Sequence, residues 1–150
     1  MVLSGTANYG ENYVVLSGYK WNLTQLLAHE MIHCYQFKRF GLLQSRPVAN
    51  IPDWKWEGYP EYVARQNADQ KDLRKNIARL LAAEKTENSG WILFDDGTGT
   101  VLPYYKSWLL VSYCLGVKKM TYTQLIADTV GEEAMMGEMM GWYGSEDMPL

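Results

Sequence analysis

Histidine and cysteine are both scarce in this 150-residue chain, which has two of each. The sequence leaves open whether the two cysteines, Cys34 and Cys114, pair; two lone cysteines are more often buried thiols than a disulfide framework. No block of lysine or arginine stands out. Residues 71–79 spread four basic side chains around a helix and mix them with Asp72, so nucleic-acid binding is not expected. No apolar run approaches the roughly 20 residues of a membrane span. The opening "MVLSGTANYG" has neither a basic nor an apolar leader region, so no signal peptide is visible. Location stays open, because Met1 can equally begin an excised domain. What remains is an ordinary globular composition, 47% apolar and 21% charged with a net charge of −3, expected to form one domain over residues 1–150.

Residues 11–19, "ENYVVLSGY", place β-branched valines between turn formers and read as a strand. Asn22 and Gln25 form a capping pattern for a helix that runs to about Phe40, where Gly41 suits the C-cap. Two prolines make residues 45–54 a loop. A second helix is expected from residues 53–56 to about 67, with Pro60 bending or delaying its early turns. A third spans about 69–86, with Leu73, Ile77, Leu80 and Leu81 on its apolar side. One short strand and a glycine-rich loop follow, then a helix over about 104–115 and two more helices towards the C-terminus, with Thr121 or Thr123 as a cap. The strands gather before the first helix. The expected class is α+β, a small N-terminal sheet on a mainly helical body.

Both histidines lie in "LLAHEMIHCYQ". Positions i and i+4 share one helix face, so His29 and His33 can point ring nitrogens at one metal ion. Glu30 is turned about 100° from His29 and can reach a water on that ion without being a ligand. This is the H-E-x-x-H spacing of zinc metalloproteases, and shuffling this composition produces it roughly once in a thousand. Two histidines satisfied by hydrogen bonds on a half-buried face are the plain structural explanation. Cys34 follows His33 directly, but its side chain points about 100° away.

A catalytic zinc needs a third protein ligand and an open position. With both histidines used, a carboxylate is expected, and "PDWKWEGYPEYVARQ" offers Glu57 and Glu61 four apart on the second helix. One can bind the metal and the other can hold an imidazole from behind. The plain alternative is two solvated charges, though mutual repulsion and the neighbouring Trp54, Trp56, Tyr59 and Tyr62 speak against an ordinary solvent face.

"HEMIH" followed by "WEGYPEY" resembles the gluzincin metallopeptidases, in particular the peptidase MA-like group. Trp54, Glu57-Gly58 and Glu61-Tyr62 carry the downstream match, and the resemblance covers about residues 10–120. It implies a zincin-like fold and a zinc-dependent peptidase acting on peptide or protein substrates. It makes Glu57 the third zinc ligand beside His29 and His33, and Glu61 the support of His29. It also makes "NYVVLSG" the strand that edges the substrate cleft. Domains of that group carry more strands before the zinc helix than are readable here, so the sheet is minimal or part of it precedes this sequence.

Hydrolysis leaves negative charge on the carbonyl oxygen, and a donor should face it. With both histidines used, tyrosine or arginine must serve, and "LPYYKSW" offers Tyr104 and Tyr105 at a helix start. The resemblance, which implies a tyrosine from a later helix, favours Tyr105 or Tyr104, with core or rim aromatics the alternative. Asp95 and Asp96 in "FDDGTGT" read as a plain turn. Met135, Met136, Met139 and Met140 read as helical core or a partner surface. The expected function is hydrolysis of peptide bonds by zinc-bound water activated by Glu30. The alternative is a degenerate binding module in which zinc only staples two helices. The intact Glu30 favours the enzyme, because a structural site has no need of a base.

Overall fold

In the computed structural model, residues 4–8, 13–17, 22–44, 51–86 and 90–145 are described, with side chains excluded at 4–8, 13–17 and 42–44. Strands β1 (Ser4–Asn8) and β2 (Tyr13–Ser17) form an antiparallel pair with Thr6 opposite Val15. Both lie beside α1 (Leu23–Gln44). The expected strand therefore has a partner, while Glu11, Asn12, Gly18 and Tyr19 fall outside the described residues. Then come α2 (Asp53–Ala64), α3 (Ala68–Lys71), α4 (Leu73–Lys85), β3 (Trp91–Leu93), β4 (Gly99–Val101), α5 (Leu102–Ser112), α6 (Tyr122–Ala127) and α7 (Glu132–Ser145). A π-helical turn, Tyr113–Val117, prolongs α5. The body is mainly helical with small antiparallel sheets, compatible with α+β. Among the described residues no helix is long and apolar enough to cross a membrane.

Local chemistry explains most boundaries. Asn22 Oδ1 accepts from the Gln25 backbone N–H at 3.2 Å and starts α1. The expected capping box is half made, because the Gln25 side chain reaches Gln70 instead. Gly41, at φ 76°, interrupts α1 where the helical conformation was expected to stop. The helix expected over 69–86 is divided at Asp72. Its carboxylate accepts from the Lys75 N–H at 3.0 Å, while the Asn76 amide ties down the carbonyls of Asp69 and Asp72. The expected single strand after residue 90 is a hairpin, with Ile92 opposite Thr100.

The core forms around α5, whose Trp108, Leu109, Leu110 and Val111 are buried together. Ile77 and Leu80 of α4, Ile92, Phe94, Leu125, Met135 and Met139 close over it. The methionines are thus core, with Met136 and Met140 packed at its margin. Helix α2 lies on α5 at very short range. A Cβ on Gly58 would come within 2.4 Å of the Ser107 carbonyl oxygen, so only glycine permits this crossing. That contact fixes α2, and with it Glu57 and Glu61, relative to the rest of the body.

Candidate metal centre

His29 and His33 occupy one face of α1, a single turn apart, and both are buried. Their Nε2 atoms lie 3.1 Å from each other. From α2, Glu57 Oε2 comes to 3.5 Å from His29 Nε2 and 3.4 Å from His33 Nε2. These three side chains form a group that could hold a metal ion. Glu57 keeps 21% of its side chain exposed, so the cluster is open to solvent on that side.

Each imidazole is held from behind. His29 Nδ1 is 3.0 Å from Glu61 Oε1, and the other oxygen of Glu61 accepts from Arg65 Nε at 2.5 Å. His33 Nδ1 is 2.8 Å from Gln36 Oε1. Aromatic rings flank both: Trp56 stacks near His33 at 5.7 Å, and Tyr104 near His29 at 6.3 Å. These contacts leave the two Nε2 atoms as the ends directed at Glu57.

The charges are strongly coupled. Burial disfavours a charged His29, but its hydrogen bonds to Glu57 and Glu61 and their negative charge outweigh this and push its pKa up to about 9. Burial likewise opposes the Glu57 anion, yet hydrogen bonds and charge from both histidines bring its pKa down to about 2. Glu61 is also displaced below the usual carboxylate range, burial being outweighed by Arg65 and His29. Glu30 moves the other way. It is 7% exposed, and burial raises its pKa against the pull of the two histidines.

The cluster brings His29, His33 and Glu57 together, with Glu61 behind His29 and Glu30 buried on the next position of the same helix. Tyr104 stands at the rim. Burial and the nearby Glu57 and Glu61 raise its hydroxyl to about 12, so it stays a donor at neutral pH. Tyr105 is not brought to the site. It is fully buried, and its hydroxyl donates towards Asn76. Adjacent helical residues point about 100° apart, so α5 can present only one of the two tyrosines here. Cys34 and Cys114 are free thiols outside the cluster. Asp95 and Asp96 are engaged in the β3–β4 turn. Gln36 escaped the sequence reading. Its signal was indirect: Pro60 inside a helix implies a carbonyl that needs another donor.

No known protein family matches the chain, and no curated protein or solved structure matches it either.

Proposed function

We propose that the chain is a zinc-dependent metallopeptidase of the gluzincin type, with a zincin-like arrangement of the helices that carry the site. One observation carries the reading. Three atoms bound to zinc at 2.0–2.1 Å in a tetrahedron lie about 3.3 Å apart. The separations among His29 Nε2, His33 Nε2 and Glu57 Oε2 are 3.1, 3.4 and 3.5 Å. The donor set, two imidazoles and a carboxylate, suits the same metal.

When bound, zinc supplies Lewis acidity, acidifying a water in the open position and polarising a carbonyl. The other steps belong to this chain's residues. Glu30 accepts the proton of the attacking water and passes it to the leaving amine. Its raised pKa suits both halves of that transfer. Tyr104 donates a hydrogen bond to the carbonyl oxygen as charge develops there. An extended peptide adds along the edge of β2 that β1 does not occupy. A metal that merely stapled α1 to α2 would be expected to gain a fourth protein ligand. Among the described residues the cluster has three.

The test is metal analysis of the purified protein, followed by digestion of an unbiased peptide library. Bound zinc is expected, with cleavage abolished by a chelator and restored by added zinc. A protein that neither binds zinc nor cleaves any library member overturns the proposal.

A further inference from the structure

Pro60 lies inside α2 and has no N–H for the carbonyl of Trp56, its partner in a regular helix. Gln36 fills that gap from α1. Its Nε2 donates to the Trp56 carbonyl at 2.9 Å and to the Tyr122 hydroxyl at 2.8 Å. A peptide carbonyl can only accept, so this end of the amide is the nitrogen. The opposite end is then the oxygen, and it is the atom 2.8 Å from His33 Nδ1. An amide oxygen also only accepts. His33 therefore carries a hydrogen on Nδ1, and in its neutral form presents a lone pair from Nε2 towards His29 and Glu57. Gln36 is fully buried, so no solvent competes for these bonds. Tyr122 is itself held by a ring stack on Tyr59 at 3.6 Å.

We propose that Gln36 is a positioning residue of the metal centre. It reads the orphaned carbonyl at the proline of the glutamate helix and, through its other end, selects the tautomer of His33 that can bind metal. The inference rests on the zinc reading above and deepens it. It links the two ligand helices through one amide, so the missing hydrogen bond in α2 and the orientation of the second histidine are a single device.

Two substitutions separate this role from a merely structural one. Gln36→Met keeps the volume and removes both functions. Gln36→Glu keeps an oxygen that accepts from His33 Nδ1 in either protonation state, but loses the amide donor to Trp56. Zinc affinity by chelator competition should fall about 10- to 100-fold in Gln36→Met, as expected for losing a ligand's support, and stay close to the parent in Gln36→Glu. Gln36→Met should melt earlier than the parent, as should Gln36→Glu at a pH where the introduced carboxyl is ionised and cannot donate to the Trp56 carbonyl. Histidine side-chain ¹⁵N spectra of the metal-free protein should show His33 protonated on Nδ1 in the parent and in Gln36→Glu, and no longer fixed there in Gln36→Met. Affinities that fall together with the melting temperatures in both variants would overturn the proposal. So would a parent spectrum showing His33 protonated on Nε2, a result that needs no variant to fold. If the parent binds no zinc, the metal reading fails, and the histidine spectra alone decide for or against Gln36.

Discussion

Glu57 and Glu61 on α2, and Asp95 and Asp96 in the β3–β4 turn, are two acidic pairs in opposite surroundings. Asp95 is 58% exposed and takes Lys75 at 2.5 Å and Arg79 at 2.7 Å. Asp96 accepts from the Thr98 backbone and hydroxyl and from Asn67. Every charge there meets a donor or a cation, from the turn itself or from the neighbouring Asn67, Lys75 and Arg79. Glu57 instead converges with two imidazole nitrogens, while Glu61 is buried behind one of them. Three lone-pair atoms this close repel one another unless a proton or a metal ion sits among them. In the metal-free protein, the raised pKa of His29 supplies the proton. Acidic residues alone mark no site. Convergence of acceptors, as at His29, His33 and Glu57, forms a group that could hold a metal ion.

Removing a convergent carboxylate should have the largest effect. Glu57→Ala should abolish zinc binding, as measured by metal analysis after dialysis, and hydrolysis with it. A structure showing zinc on Glu61 with Glu57 in solvent would reverse the assignment. Glu61→Ala should weaken zinc binding by about 10- to 100-fold without eliminating it, because it removes the partner of a ligand and not a ligand. Equal losses in the two variants would erase the distinction between them.

A pH series sharpens the same contrast. Because the pKa of His29 is raised from 6.5 to about 9, its contribution to the metal-free fold is fully present below pH 6.5 and lost as pH rises through 9. Zinc must displace that proton, so apparent affinity should rise about tenfold per pH unit towards pH 9. Calorimetry in buffers of different ionisation enthalpy should record about one proton released per ion at neutral pH. Binding that is independent of pH over this range would show that His29 is already neutral. At the other end of the scale, Asp95→Asn should change stability by less than about 1 kcal/mol in chemical denaturation, since its ion pairs are exposed. It should leave zinc content and cleavage unaltered. A loss of zinc there would mean that the two acidic regions are coupled.

The part of the centre legible in the sequence is the part set by local geometry. A four-residue spacing is enough to align His29 with His33, and Glu57 with Glu61, because helical periodicity does the rest. The choice between Tyr104 and Tyr105 depends on which side of α5 meets the core, and adjacent positions carry no such information. Gln36 was harder still, since its partners Trp56 and Tyr122 come from two other segments. The hairpin at β3 and β4 was half seen because "GTV" is only three residues long and begins with glycine. Asp72 looked like one more polar helix position, yet its side chain caps α4 and splits the expected helix in two. The tight crossing at Gly58 likewise depends on Ser107, far along the chain.

If Glu30 acts on the substrate water while His29, His33 and Glu57 hold zinc, catalysis and metal binding separate at one residue. Glu30→Gln preserves size and helix propensity and removes only the base. Zinc content and hydrolysis should be measured on the same preparation of this variant and its parent. Zinc content and melting temperature should stay close to the parent, with hydrolysis lower by at least about 100-fold. Loss of zinc from the variant, or hydrolysis undiminished by the substitution, would contradict that separation.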